Sequence, residues 1–162
     1  MPIVVDMLLL QTVSIVVAST GVLIAAIYYV LQIQNQRKMR QTDLVMRLYT
    51  TFHSKEFQAD MAKVMTAEFK DYDDAVEKYG WEFGFPVGLF FEGIGVLLHR
   101  KLVDISLVDD LFTFDTRIVW EKIKPIAEGA RKHFNAPTIL EWFEYLYNEM
   151  KKREQKLEKK GV

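Results

Sequence analysis

The sequence predicts an all-α protein, with one N-terminal transmembrane helix that continues into a cytoplasmic bundle of about five to six helices. The first observation is a run of thirty uncharged residues, 7–36, of which residues 8–31 are apolar enough to cross a bilayer as one helix. The second is that apolar residues recur at helical spacing from residue 37 onward, without the sustained alternation that indicates a strand. We therefore divide the chain into an outer segment with the transmembrane helix (1–36), a helical domain (37–150) and a basic C-terminal tail (151–162).

The residues that flank the apolar run predict its orientation. Asp6 is the only charge before the run, whereas Arg37, Lys38 and Arg40 follow it directly. Because Lys and Arg concentrate on the cytoplasmic side of a span, we expect a single-pass protein of the cell membrane, with its N-terminus outside and the rest of the chain in the cytoplasm. A cleaved secretory signal is the alternative, but it needs a basic start and a small-x-small cleavage site, and the sequence shows neither.

One face of the apolar run is small and polar, and we call it the seam. Its residues follow alternate steps of three and four, and the bulky aliphatic residues lie off that line. Small residues allow helices to approach closely in lipid, and a buried amide can hydrogen-bond across the pair. One expectation is pairing with a second copy or with another membrane subunit; the other is a passive anchor that merely tolerates small residues. The seam consists of Gln11, Ser14, Ala18, Gly21, Ala25 and Tyr28.

Charge and composition exclude several classes of function. From residue 37 onward the chain carries all 21 basic residues and 21 of the 22 acidic ones, so no net charge attracts it to nucleic acid. The chain has no cysteine, which excludes disulfides, thiol catalysis and thiolate metal sites. His53, His99 and His133 lack the Glu-x-x-His spacing of di-iron bundles, and no nucleotide-binding or hydrolase motif occurs. The sequence therefore predicts no metal, no cofactor and no catalytic residue.

Local signals place the first helices of the domain. The transmembrane helix should continue unbroken to Phe52, because residues 31–51 contain neither Gly nor Pro. Ser54 should cap a second helix, and Asp71 a short third helix that ends at Gly80. These signals predict brief connections between the helices.

The next helix should lie at the centre of the domain. After an irregular segment at residues 81–86, a strongly apolar helix is expected from Val87 to about His99. Asp104 or Ser106 should cap the helix that follows, and a separate, longer helix should run through residues 118–126 with a bend at Pro125.

The C-terminal part is predicted to be one helix and a solvated tail. Thr138 and Glu141 have the spacing of a capping box, which should open a last amphipathic helix that continues to Met150. Residues 151–162 carry six basic and two acidic side chains. One alternative is that they lie near anionic headgroups, and the one we favour is a solvated, frayed terminus that the fold does not need.

Glu92 is the most informative residue of the apolar central helix. A carboxylate on such a helix is costly to bury unless it has a partner. The face through Gly88, Glu92 and Gly95 is small, so another helix can approach it closely.

The sequence allows three interpretations of Glu92. One interpretation is a buried ion pair with Arg117, Arg131 or Lys122, which would fix the helix register. A second is a ligand-binding or catalytic carboxylate in a Gly-lined pocket near Arg117 and Trp120, and a third is simple exposure at the domain surface.

Four segments carry a resemblance to a known family. They are FFEGIGVLL at residues 90–98, LVDISLVDDLF at 102–112, residues 48–57, and WEKIKPI at 120–126. Over roughly residues 8–134 the chain resembles a domain-of-unknown-function family of small prokaryotic, often archaeal, membrane proteins. The resemblance implies one N-terminal span, a basic junction and a helical cytoplasmic domain centred on the FFEGIG helix. It implies no known chemistry.

Two functional hypotheses from different classes follow. The first is a membrane-anchored interaction or accessory subunit that pairs through its transmembrane helix and presents the helical domain to a partner. The second is a membrane-tethered small-ligand sensor or enzyme whose pocket contains Glu92. The missing catalytic motifs favour the first hypothesis.

Overall fold

The computed structural model describes residues 2–160, with the side chains of residues 7–159. Within that part of the chain it contains six helices and no strand, which confirms the predicted all-α class. Three of the helices are long, and α3 has only eight residues. The helices are α1 (Pro2–Phe52), α2 (Lys55–Thr66), α3 (Tyr72–Tyr79), α4 (Phe85–His99), α5 (Ile105–His133) and α6 (Glu141–Lys160).

The chain divides into two compact units, the first ending at Thr42 and the second beginning at Asp43. The first unit is helical throughout its described length, as part of α1. Its large apolar side chains from Met7 to Leu31 are 53 to 73% exposed. Among the described helices, α1 is the one that is long and apolar enough to cross a membrane by length and composition.

The second unit is built around α4, as predicted. Val87, Phe91 and Ile94 of this helix are completely buried. The aromatic ring of Phe91 stacks on that of Phe143 from α6, with 4.8 Å between ring centroids. The other residues of this core come from α2, α5, α6 and the last turns of α1: Val45, Phe52, Phe57, Val64, Val108, Phe112, Val119, Trp120, Ile123 and Leu146. Tyr72 and Ala75 of α3 form a second, smaller cluster with Ile126 and Ala130 of α5.

Three predicted helix caps are confirmed. The side chains of Ser54 and Asp71 each accept a hydrogen bond from the backbone N–H three residues ahead. At the start of α5 the cap is Asp104, which accepts from the backbone N–H of Ser106 at 2.7 Å. These bonds satisfy donors that the first turn of a helix leaves unpaired.

The irregular segment before α4 is shorter than predicted. The helix begins at Phe85, so Pro86 lies within its first turn, where the missing N–H of proline has no helical partner to lose. Gly84 precedes the helix with a φ of 79°, in the left-handed region that favours glycine.

The predicted separation of two helices between residues 112 and 118 is wrong. A single helix, α5, runs from Ile105 to His133 and passes through Pro125. No Gly or Pro occurs between Ile105 and Pro125 to end the helix. Val108, Phe112 and Val119 lie on one buried face of this helix.

The C-terminal segment also differs from the predicted solvated tail. α6 continues to Lys160, ten residues beyond the expected boundary at Met150. Arg153 Nε lies 2.8 Å from Asp109 Oδ2, and Arg117 Nη1 donates to Glu154 Oε1 at 2.6 Å. Pairing with α5 therefore involves residues that the sequence pattern assigned to solvent.

The start of α6 differs as well. The Thr138 side chain makes no hydrogen bond to the helix among the described residues; its backbone carbonyl accepts from the Glu141 N–H at 3.2 Å. The helix begins at Glu141 after Leu140, whose φ is 54°. Since a leucine side chain has no acceptor, the predicted capping box is absent and the first turn of α6 needs another partner.

Candidate functional site

The partner that the first turn of α6 needs is Glu92. Its Oε2 accepts a hydrogen bond from the backbone N–H of Phe143, with a donor–acceptor distance of 2.7 Å. Phe143 is the third residue of α6, a position whose N–H has no partner within the helix. A carboxylate at this end also interacts favourably with the helix dipole. Glu92 therefore acts as an N-terminal cap that one helix supplies to another.

The half-buried position of Glu92 changes its acidity. Burial raises the pKa of the carboxyl above its usual range, because desolvation disfavours the charged form. The backbone N–H groups of Phe143 and Trp142 lower the pKa. Two smaller effects oppose each other: the charge of Glu141 raises the pKa and that of Arg131 lowers it. Since the net direction is upward, desolvation outweighs the hydrogen bonds.

Two glycines allow α4 and α6 to meet closely enough for this bond. A Cβ atom on Gly95 would lie 1.9 Å from the backbone oxygen of Trp142, and one on Gly88 would lie 3.1 Å from Leu140 Cδ1. Gly93 belongs to the same motif but has nothing within 4 Å of the corresponding position. The predicted close approach at the face of Gly88, Glu92 and Gly95 is therefore confirmed, and α6 is the helix that makes it.

The expected ion pair with arginine is not formed. Arg117 binds Glu154, and Arg131 binds the carboxylate of Glu144 at 2.8 Å and the backbone oxygen of Ile139. Lys122 lies over the ring of Phe69. Each cation has its own partner, so the charge of Glu92 is held by backbone donors instead.

Trp120 contributes to packing. It is 3% exposed, and its ring meets that of Phe143 edge to face, with 5.0 Å between centroids. The predicted group of Glu92, Arg117 and Trp120 thus does not converge on a pocket. Arg117 lies at the partly exposed contact with the C-terminal half of α6.

A small, apolar cavity lies next to this junction. It has a volume of about 20 Å³, enough for about one water molecule. Phe83, Ile123, Ile126 and Leu140 are among its lining residues, and Glu92 is not. Among the described residues no group of three or more potential ligands is placed to hold a metal ion.

A family model described as a domain of unknown function, DUF4760, matches residues 15–150. The chain belongs to the DUF4760 family. No curated protein and no solved structure matches it. The DUF4760 match includes both partners of the Glu92 junction, because α4 and the first ten residues of α6 lie within it. It therefore extends further toward the C-terminus than the resemblance over residues 8–134 that the sequence motifs indicated.

The DUF4760 match also includes most of the seam on α1. All seam residues are exposed within the first unit. The Ser14 hydroxyl donates to the backbone oxygen of Leu10 at 2.8 Å, and nothing lies within 4 Å of a Cβ built on Gly21. Arg37, Lys38 and Arg40 are exposed and form no salt bridge with another described residue. No described side chain of the same chain covers the small residue at the centre of the seam.

Sequence reasoning identified Glu92 in the FFEGIG segment but not its partner. The partner is a backbone N–H 51 residues away, and such a donor has no signature in side-chain patterns. A usable signal was the apolar Leu140 at the position where the last helix needs an acceptor.

Proposed function

We propose that this protein is a membrane-anchored accessory subunit without catalytic activity. In this proposal, α1 crosses the bilayer once with its N-terminus outside and presents the helical domain to a partner in the cytoplasm. The observation that carries it is the exposure of every large apolar side chain between Met7 and Leu31. An apolar surface of this length is stable where lipid replaces water.

The continuity of α1 supports a retained span over a cleaved signal. The helix runs without interruption from Pro2 to Phe52. Val45 and Phe52, near its C-terminal end, are 1% and 7% exposed in the core of the second unit. The residues that follow the apolar run therefore belong to the same helix, and its last turns contribute to the core of the second unit.

The basic residues after the run support the orientation. Arg37, Lys38 and Arg40 are exposed and lie directly beyond the apolar segment, where cationic side chains favour the cytoplasmic side. Tyr28 and Tyr29 are about two-thirds exposed near the same end, which suits aromatic rings at the headgroup layer.

The seam supports pairing of α1 with another span, either a second copy or another membrane subunit. A helix can approach Gly21 closely because no described atom lies within 4 Å of a Cβ built on it. The hydroxyl of Ser14 is already bonded within its own helix, so close packing and the Gln11 amide are the expected sources of attraction.

The role of Glu92 as a helix cap supports the absence of catalytic activity in this proposal. This carboxylate is the strongest candidate for chemistry in the central motif, and it is bound to the backbone of α6. A carboxylate that serves as a helix cap is not free to bind a ligand without releasing that helix.

Single-cysteine crosslinking in native membranes tests the pairing, since the chain has no cysteine to interfere. We expect crosslinking to peak at the seam positions Gln11, Ser14, Ala18 and Gly21. Gly21→Leu should weaken it by separating the helices, and Leu23→Ile on the bulky face is the matched control that should leave it unchanged. A flat profile would show that α1 is a passive anchor, and a peak at Leu23 would contradict the seam.

A further inference from the structure

The outer face of α4 is an apolar stripe on the surface of the second unit. Trp81, just before the helix, is 61% exposed, and Leu89 is 55% exposed. Phe85 and Val96 are each 36% exposed, and the ring of Trp81 meets that of Phe85 with 6.0 Å between centroids. These four residues define the α4 stripe. Spacings of four and seven residues put its helical members, Phe85, Leu89 and Val96, on one side of α4.

The stripe ends at a group of cations. Arg100 and Lys101 are exposed, and neither forms a salt bridge with any other residue in the described part of the chain. Arg100 lies four residues beyond Val96, so it continues the same side of the helix. The stripe and the adjacent cation together, from Phe85 to Arg100, are about 22 Å long at a rise of about 1.5 Å per residue.

Within α4 itself no free carboxylate interrupts this surface, whereas Glu82, next to Trp81, is exposed. The only carboxylate within α4 is Glu92, and it is turned to the first turn of α6. The cap described above therefore removes the one acidic group of the helix from its outer face. What remains is an apolar stripe with an aromatic residue at one end and unpaired cations at the other.

We propose that the α4 stripe docks on an anionic lipid surface. Apolar and aromatic side chains that insert at the boundary of the acyl chains, next to cations that meet acidic headgroups, are the chemistry of helices that lie in a membrane interface. Charge complementarity selects the occupant, because an acidic headgroup layer matches Arg100 and Lys101 and a neutral one does not. The inference rests on the proposed function only in that α1 brings a bilayer near the domain.

The test uses the full chain reconstituted into vesicles, with a nitroxide attached to a single cysteine at Leu89→Cys. In vesicles that contain phosphatidylglycerol, we expect the label to be several-fold less accessible to a water-soluble nickel reagent than in pure phosphatidylcholine, and more accessible to oxygen. Val96→Cys should give the same result. Glu77→Cys, on the exposed side of α3, is the control whose accessibility should not change.

The charge requirement is tested by adding Arg100→Glu and Lys101→Glu to the Leu89→Cys chain, which should abolish the effect of phosphatidylglycerol. A label equally accessible to nickel in both lipids would overturn the docking proposal. So would spin–spin broadening that rises with protein density, because it would show that a second copy covers the stripe. Flotation with both kinds of vesicle reports insertion of α1 separately, so failure of the anchor is distinguished from failure of docking.

Discussion

At the scale of single residues, the account depends on Glu92 as a cap for another helix. The bond from the Phe143 N–H to Glu92 joins α4 to the first turn of α6, where Leu140 supplies no acceptor. A cap and an ion pair make opposite demands on this side chain. A cap needs an oxygen acceptor, whereas an ion pair needs the charge.

Replacement of Glu92 distinguishes these two roles. Glu92→Ala should lower the free energy of unfolding by about 1–3 kcal/mol, because it leaves the Phe143 N–H without its partner. Glu92→Gln keeps an acceptor and should change stability by less than about 1 kcal/mol. Chemical denaturation in detergent measures both. A loss of about 3–5 kcal/mol for Glu92→Gln would instead indicate a buried ion pair.

The raised pKa of Glu92 adds a pH dependence. Because the folded state favours the protonated carboxyl, this contribution to stability is fully present below the pKa of the unfolded chain and is lost as the pH rises through the higher folded-state pKa. The wild-type chain should therefore lose stability relative to Glu92→Gln over that interval. Parallel pH profiles of the two proteins would contradict the effect of burial on this residue.

Substitutions at Gly95 and Gly93 test the close approach of α4 and α6, because only Gly95 lies at the contact. Gly95→Ala places a methyl group 1.9 Å from the Trp142 backbone oxygen, so α4 and α6 must separate. We expect a loss of about 1–3 kcal/mol or more. Gly93→Ala enters open space and should stabilise the helix by about 0.5–1 kcal/mol. Thermal unfolding compares them, and equal effects would disprove the helix contact.

At the scale of elements, the C-terminal half of α6 is held by pairs of charged residues. Arg153 and Asp109 side chains are 27% and 12% exposed, whereas Arg117 and Glu154 are 43% and 42% exposed. Solvent weakens the more exposed pair, since such pairs contribute little on average.

We therefore expect Arg153→Ala to destabilise the domain by about 1–2 kcal/mol and Arg117→Ala by less than about 1 kcal/mol. Deletion of residues 151–162 should be at least as costly as Arg153→Ala but leave the domain folded, because the core residues of α6 lie before Lys151. Denaturation curves of the three variants test this order of stability losses. A truncated chain as stable as the wild type would restore the original interpretation of a solvated tail.

The elements that the sequence predicted well are those with local causes. Ser54, Asp71 and Asp104 bond to N–H groups two or three residues ahead, and a short pattern contains all of that information. The start of α6 has a distant cause, because the helix begins at Glu141 under a carboxylate from residue 92. Propensity and capping rules do not include such tertiary contacts.

The same limit applies to the candidate site. Burial cost singled out Glu92, and the small residues beside it predicted a close helix, but the sequence offered three cations as partners. Arg117 instead finds Glu154, a pairing 37 residues apart that depends on where α6 ends. A residue that needs a partner is visible in sequence, whereas the choice among distant partners is a property of the fold.

At the scale of the whole molecule, the central claim is that one span anchors a domain in the cytoplasm. The exposed apolar surface of residues 7–31 indicates the span, and the basic residues that follow it indicate the cytoplasmic side.

The direct measurement is labelling of single cysteines with a membrane-impermeant maleimide in intact cells. Glu77→Cys, exposed on α3, should react only after the cells are permeabilised, whereas Val5→Cys, ahead of the apolar run, should react without permeabilisation. The chain has no native cysteine to give a background signal. Reaction of Glu77→Cys in intact cells, or recovery of the protein in the soluble fraction, would contradict the account.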